Sequence, residues 1–428
     1  MGLLKHAFQY RDGALHCDGV PLSAVSYRLG TPFYVYSRKR IESNFGSIRR
    51  ALAGTDHLVC YSLKANSNPT LLRLLAKKGC GADVVSGGEL ETALRVGIPP
   101  ERTVYAGVGK TDPEIEAAVR AGLLSINVES FEELRIIDAT ARRLKRKANV
   151  SIRVNPVVDA RTHPYVATGL RESKFGVPID KAEEAYKLSL SLKGLETVGL
   201  HCHIGSMIME AAPYVEAVES LSDLIARLAR SGLSLKHVDI GGGLGLDYTR
   251  IVDGSKVHKK ELTPRRLFED ILPLLRKWNL RILFEPGRYI VADAGVLVTR
   301  VVLTKKTGSK KFVVVDAGMN DLIRPCLYSA YHQIVEVRRG GGPMEKVSVV
   351  GPICESGDFF AHDRLLPRVN RGDLLAITAA GAYGYSLSSN YNSRLRAPEV
   401  LVEGDSFRLI RKREKPETLW RGTELDAE

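Results

Sequence analysis

Lys64 stands in the stretch Tyr61-Ser62-Leu63-Lys64-Ala65-Asn66-Ser67-Asn68, directly after the apolar run His57–Leu63. That run is rich in β-formers and closed by a polar turn, which predicts a buried strand, and Pro69 to Lys78 predicts the helix after it. The C-terminal ends of strands are where βα-barrels collect their reacting groups. A lysine held there can lose its proton and offer an amine nucleophile to an aldehyde cofactor. The plainer alternative is a solvated lysine capping a strand.

Further segments offer what an aldehyde cofactor bearing a phosphate would need. In Asp239-Ile240-Gly241-Gly242-Gly243-Leu244-Gly245 the three glycines let backbone N–H groups approach an anion, although such a run is equally a flexible turn. Its spacing is not that of a dinucleotide fingerprint. Phe284-Glu285-Pro286-Gly287-Arg288 places a carboxylate where it can pair with a protonated pyridine nitrogen, beside an arginine fork suited to phosphate or carboxylate. A structural ion pair is the alternative. In Gly199-Leu200-His201-Cys202-His203-Ile204-Gly205-Ser206, alternation puts His201 and His203 on one face. No acidic or cysteine partner follows at zinc-like spacing, so a flat imidazole stacked on a flat ring fits better, with Ser206 near the phosphate. Cys354, in Gly351-Pro352-Ile353-Cys354-Glu355-Ser356-Gly357-Asp358, lies on a polar glycine-flanked loop from which a thiol can deliver a proton. Gly381-Ala382-Tyr383-Gly384-Tyr385 is a glycine-rich turn displaying a phenol.

The elements that must position these residues alternate. Eight strand candidates run from Leu58–Leu63 through Ala82–Val85, Thr103–Ala106, Leu124–Val128, Val150–Val154, Thr197–His203 and His237–Ile240 to Ile282–Phe284. Helical patterns such as Asp112–Ala121, Phe131–Leu144, Tyr214–Ser231 and Pro264–Lys277 separate most of them. The count is that of an α/β (β/α)8 TIM-type barrel, with a doubly wound open sheet as the competitor on periodicity alone. After Val291 the pattern changes to strands (Val296–Leu303, Lys311–Val315, Lys346–Val350, Leu374–Thr378) separated by Gly, Asp and Pro turns, which predicts a second, mainly β domain. The strand-like first 36 residues are expected to join it, giving a barrel over 37–290 and a β-rich domain from 1–36 and 291–428.

At 428 residues the chain is long enough for two cores. It has no apolar run of membrane-spanning length, and the start turns polar too soon for a signal peptide. Cys17, Cys60, Cys80, Cys202, Cys326 and Cys354 show no paired spacing, so reduced thiols and a cytoplasmic location are expected. The net charge of +13 is concentrated in runs such as 142–147 and 411–413. These fall at expected helix ends or turns, without interleaved aromatics, which speaks against nucleic acid as a partner.

Taken in order, Tyr-Ser-Leu-Lys-Ala-Asn, His-Cys-His-Ile-Gly-Ser, Gly-Gly-Gly-Leu-Gly, Glu-Pro-Gly-Arg, Cys-Glu-Ser-Gly-Asp and Gly-Ala-Tyr-Gly resemble the group IV pyridoxal-phosphate-dependent decarboxylases, which share an alanine-racemase-like barrel with a second β domain. Within that group the diaminopimelate decarboxylases are the most similar. Their loop is matched by 163–170 and Ser173-Lys174-Phe175-Gly176, and further matches are Arg324-Pro325-Cys326-Leu327-Tyr328 and Ser388-Ser389-Asn390-Tyr391-Asn392. The resemblance implies pyridoxal 5'-phosphate on Lys64, His203 stacked on its ring, Glu285 on the pyridine nitrogen and Asp83 as an acid nearby. The phosphate would be held by Ser206, Gly241, Gly242, Gly243, Gly287 and Tyr383, with Arg288 adjoining. Arg288, Arg324 and Tyr328, with Tyr383, would bind the substrate's far-end carboxylate, and Glu355 its far-end ammonium. Cys354 would be the general acid, reaching the site from the partner subunit of a homodimer. No metal is implied. The implied reaction is decarboxylation of meso-2,6-diaminopimelate to L-lysine, the last step of lysine synthesis. The alternatives are a related decarboxylase of ornithine, arginine or carboxynorspermidine, which would not need Arg324 and Tyr328 together with Glu355, and a non-enzymatic regulatory relative, against which Lys64 and Cys354 stand. Met207, where a glutamine is common, and Leu395 and Ala397 depart from the family pattern.

Overall fold

Eight parallel strands form where the eight apolar stretches stand in the computed structural model, which describes residues 7–160, 169, 173–249, 252 and 262–424. They are β1 (His57–Ser62), β2 (Gly81–Val84), β3 (Thr103–Tyr105), β4 (Ser125–Val128), β5 (Ala148–Asn155), β6 (Leu195–His201), β7 (His237–Asp239) and β8 (Arg281–Phe284). Each pairs with its successor, and β8 returns to β1 through Ile282↔His57, Leu283↔Leu58 and Phe284↔Val59. That last pairing makes the sheet a closed barrel and excludes the open doubly wound alternative. Of the loop at 163–176, residues 163–168 and 170–172 lie outside the described residues.

Local signals set the helices that cover the strands. Asn68 accepts from the Thr70 N–H at 2.9 Å and Pro69 opens α1 (Pro69–Ala76), so the chain turns into a helix immediately after the lysine segment. Ser86 and Ser130 cap α2 (Gly87–Arg95) and α3 (Phe131–Arg143) by accepting from Glu89 and Glu133 N–H, at 3.2 and 3.1 Å. The basic residues Arg142 and Arg143 sit in the last turn of α3, where cations favour the helix dipole.

Period-two alternation sends one set of strand side chains into the barrel. On one side these are apolar: Leu58, Cys60, Val104 and Leu283 form a buried cluster with Leu124 against it. Opposite them the interior is polar and bonded, Ser125 Oγ donating to Ser151 Oγ at 2.7 Å, and Ser151 Oγ lying 2.9 Å from His237 Nε2. Gly199 leaves the room for this chain, since a Cβ there would stand 2.6 Å from Ser151 Oγ. One layer higher, towards the C-terminal ends, the interior positions are Asp83, Arg153, His201 and Asp239, followed by Glu285, all buried.

The second compact unit takes in residues 7–43, 247–249, 252 and 290–424 and is mainly β. The strand Phe33–Ser37 pairs antiparallel with Gly295–Thr307 and parallel with Glu399–Glu403, so the N-terminal segment is built into the C-terminal sheet. The strand-like reading of the first 36 residues holds for Phe8–Arg11 and Phe33–Ser37 but not for Leu22–Leu29. That stretch is helical, burying Leu22, Val25 and Ser26 on one side at helical spacing. All six cysteines are free, and among the described residues no helix is long and apolar enough to cross a membrane. Leu283→Ala, which opens a cavity in the apolar half of the barrel interior, is expected to cost about 2–5 kcal/mol. A urea midpoint equal to that of the unmodified protein would contradict this packing.

Candidate active site

Lys64 is the middle residue of a single 3-10 turn, Leu63–Ala65, at the end of β1. Leu63 and Ala65 are buried while Lys64 is exposed, so the turn pins the backbone at the barrel's C-terminal end, where the Lys64 charge reaches Asp83 and His203. Ser62 Oγ donates to Asp83 Oδ2 at 2.5 Å from the neighbouring strand. Burial, with the negative charge of Glu285, raises the Asp83 carboxyl to about 6 despite the opposing pull of Lys64 and Ser62. Its Oδ1 is buried with no hydrogen-bond partner.

Glu285 follows β8 and is 6% exposed. Its backbone N–H donates to Gly241 O at 2.8 Å, which ties the end of β8 to the glycine turn after β7. Burial by itself would raise this carboxyl, but His201 outweighs it and holds Glu285 below the usual carboxylate range. His201 Nε2 stands 3.4 Å from Glu285 Oε2. Asp239 goes the other way, pushed well above the carboxylate range by burial and by Glu285. The two adjoining acids are thus pushed in opposite directions, Asp239 towards its neutral form and Glu285 towards its charged form. Glu285 Oε1 is buried without a hydrogen-bond partner and is therefore an acceptor that lacks a donor. Spacing along the chain gave His201 no acidic partner; the fold supplies two, Asp239 and Glu285, whose oxygens lie within 4.8 Å of the His201 nitrogens.

Gly241, Gly242 and Gly243 form a rigid turn. Gly241 and Gly243 have φ of 66° and 101°, a region that disfavours any side chain. A Cβ on Gly241 would stand 2.7 Å from His203 Nδ1, and one on Gly242 would collide with the Glu285 carbonyl. The Gly242 N–H donates to His203 Nδ1 at 3.1 Å, so that nitrogen carries a lone pair. Burial, then the charges of Lys64 and Arg153, hold His203 well below the usual imidazole range. The ring is neutral. His201 ends β6 wholly buried, whereas His203 stands in the loop beyond, half-buried beside the glycines. Arg288 Nη2 donates to Ser206 Oγ at 3.1 Å, and a Cβ on Gly287 would meet Ala65 Cβ at 3.0 Å and Ser62 Cβ at 3.1 Å. Lys64, Asp83, His203, Ser206, Gly241–Gly243, Glu285, Gly287 and Arg288 therefore all lie in the barrel unit, at or just beyond the C-terminal ends of its strands.

The remaining candidates lie in the β-rich unit. Arg324 opens the short helix Arg324–Tyr328 and is 5% exposed; Tyr328 ends that helix half-buried. Cys354 and Glu355 are exposed on one loop. Asp358 closes that loop by accepting from Ile353 and Met319 N–H, each at 2.7 Å. The Ser388–Asn392 segment meets it: Asn392 Oδ1 accepts from Cys354 N–H at 2.8 Å, and the Tyr391 hydroxyl donates to Glu355 at 2.6 Å. Tyr383 adopts φ 56° in a turn where Gly384 packs 2.8 Å, measured from a would-be Cβ, from the Tyr34 hydroxyl. Sequence reasoning assigned no role to Asp239, Tyr391 or Asn392. Asp239 carried one usable signal, a carboxylate ending an apolar strand.

Residues 38–292 match the family model described as the pyridoxal binding domain of the pyridoxal-dependent decarboxylases. A diaminopimelate decarboxylase of Aquifex aeolicus is 50% identical over 417 residues, 97% of each chain. One from Pseudomonas aeruginosa is 47% identical over 422 residues, 98% of this chain and 99% of that one. The crystal structure of diaminopimelate decarboxylase from Helicobacter pylori complexed with L-lysine matches with a TM-score of 0.89 and 43% identity, covering 94% of this chain and 98% of that one. Similarity of this depth, running through the barrel and the β-rich unit alike, makes the chain a member of the diaminopimelate decarboxylases within the pyridoxal-dependent decarboxylase family.

Proposed function

We propose that this chain removes one carboxylate of meso-2,6-diaminopimelate, releasing carbon dioxide and L-lysine, with pyridoxal 5'-phosphate as cofactor. The observation that carries the reading is the buried Glu285 with an unpartnered Oε1, at the strand end adjoining that of Lys64. The substrate follows from end-to-end similarity to diaminopimelate decarboxylases.

The residues present fit the cofactor. A protonated pyridine nitrogen is the donor that Glu285 Oε1 needs; the Gly241 and Gly242 N–H groups already go to Asp239 Oδ1 and His203 Nδ1, and what the Gly241–Gly243 turn offers a phosphate is close approach unobstructed by any Cβ. Bound pyridoxal phosphate would supply an aldehyde for amines and a ring that accepts the electron pair left as carbon dioxide departs. Lys64 is assigned the amine, Glu285 the ring nitrogen's proton, and the neutral face of His203 the stacking surface. Asp83 is the nearby acid. Ser206, Gly241, Gly242, Gly243, Gly287, Arg288 and Tyr383 are assigned the phosphate. Arg288, Arg324 and Tyr328, with Tyr383, take the far-end carboxylate and Glu355 the far-end ammonium; a substrate without that carboxylate would leave the buried Arg288 and Arg324 unpaired. The Cys354 thiol delivers the proton to the α-carbon, acting in the partner subunit's site within a homodimer. The barrel and β-rich domains are assigned 37–290 and the remainder, and the enzyme a cytoplasmic location.

Lys64→Ala should abolish L-lysine release from meso-2,6-diaminopimelate and the absorbance band that forms on adding pyridoxal phosphate. Glu285→Gln should keep the band and lose about a hundredfold in turnover. Release of product from ornithine or arginine but not diaminopimelate would sink the substrate assignment. Shared sites predict that inactive Lys64→Ala and Cys354→Ala chains regain turnover when mixed and re-paired; no recovery would place the cysteine in its own chain's site.

Asp83 has a pH signature. Its folded value of about 6 lies above the ordinary 3.8, so between those values the folded state keeps a proton that the unfolded chain has lost. Stability from this group is lost as pH rises through that window. Asp83→Asn should therefore raise the melting temperature of the cofactor-free protein at pH 7.5, with a smaller gain at pH 4.5. An equal effect at both pH values would contradict the burial argument.

A further inference from the structure

Arg324 is held by an imidazole that no sequence motif pointed to. Its Nη1 lies 2.9 Å from His332 Nε2, and His332 Nδ1 lies 2.7 Å from the Thr378 carbonyl oxygen. A guanidinium only donates and a carbonyl only accepts. His332 must therefore carry its proton on Nδ1 and present a lone pair at Nε2, which makes it a neutral ring of one tautomer. The ring is fully buried, at 0% exposure.

Its backbone is equally fixed. The His332 carbonyl accepts from Arg364 Nη1 at 2.9 Å, and the neighbouring Gln333 carbonyl accepts from Thr378 N–H at 2.9 Å. A second wall completes the mount: the Arg324 guanidinium lies 4.7 Å from the centroid of the Tyr248 ring, whose plane stands at 82° to the imidazole with centroids 5.2 Å apart. One N–H is fixed by His332 and the plane of the fork is set against an aromatic face. Arginine has a long side chain with much rotamer entropy, and a fork aimed in advance loses less of it when it meets a carboxylate.

We propose that His332 is a positioning residue that aims Arg324 at the substrate's far-end carboxylate and so sets the preference for substrates that carry one. The inference rests on the reading of Arg324 given above. A bland alternative is that His332 only fastens the loop at 332–333 to the strand Leu374–Ile377.

The test uses the cofactor-loaded enzyme with His332→Leu, His332→Gln and Arg324→Met. Decarboxylation of the meso compound to L-lysine spares the far L-centre, so L-lysine keeps the carboxylate in question, whereas 1,5-diaminopentane has none. His332→Leu should raise KM for diaminopimelate about tenfold, with kcat within about threefold. The Kd for L-lysine, measured by calorimetry, should rise in parallel while that for 1,5-diaminopentane stays unchanged. Glutamine can donate to Thr378 O and accept from Arg324, so His332→Gln should restore both constants to within about threefold. If the leucine variant does not fold, His332→Phe supplies the same comparison. Unchanged KM and L-lysine affinity in folded His332→Leu, alongside a raised KM in Arg324→Met, would overturn the inference alone. An unchanged KM in Arg324→Met would overturn the reading of Arg324 and the inference with it. Weakened binding of L-lysine and 1,5-diaminopentane to the same extent would assign His332 the fastening role instead.

Discussion

The pairing of β8 with β1 is the constraint on which the rest depends. Phe284 stands opposite Val59, so the Glu285-Pro286-Gly287 stretch runs alongside the end of β1 that leads into the Lys64 turn, although the two lie at opposite ends of the barrel sequence. Ser62 N–H donates to the Pro286 carbonyl at 3.3 Å, and Gly287 packs against Ser62 and Ala65 so closely that a side chain would displace them. From Glu285 the tie passes to Gly241, and from Gly242 to His203. The ends of β1, β6, β7 and β8 thus form one hydrogen-bonded rim. A side chain on that rim inherits the precision of the barrel, because moving it means breaking strand pairing.

Electrostatics decide what the rim can do. Four ionisable side chains, Asp83, His201, Asp239 and Glu285, are buried where isolated charges are expensive. Burial and the neighbouring carboxylate push Asp239 well above the carboxylate range, against the pull of the Gly241 N–H at 2.9 Å, whereas His201 holds Glu285 low. The pair therefore divides: of the two adjoining acids, Glu285 is the one whose charge the site favours.

The β-rich unit works by a different device. Its chemistry-bearing residues stand on loops and one short helix, which are mobile unless tied. Here each is tied by a second-tier group: Asp358 closes the Cys354 loop, Asn392 and Tyr391 brace Cys354 and Glu355, and His332 with Tyr248 fixes Arg324. The late Ser-Ser-Asn-Tyr-Asn segment therefore has a physical role that its composition did not state. It supplies the amide oxygen and the phenol that orient the thiol-bearing loop.

The eight strands and the lysine-bearing turn were legible in the sequence because each depends on local order: apolar runs of strand length, an Asn-Pro helix start, glycines where the backbone takes a positive φ. The motif residues could be proposed for the same reason, since an amine, a carboxylate or a thiol is a type of residue at a type of place. The helix Leu22–Leu29 was missed because its short apolar spacing lies among strand-like neighbours. The opposite shifts of Asp239 and Glu285, the choice of His201 rather than His203 as the partner of that pair, and the seating of Arg324 on His332 were not legible at all. These are contacts between side chains on different elements, and a shift of one residue in strand register would turn each to the other face. The sequence alone determined which groups were present and at which strand ends; the closed barrel and its register decided which of them meet, because charge state and aim depend on neighbours in space and not on neighbours in the chain.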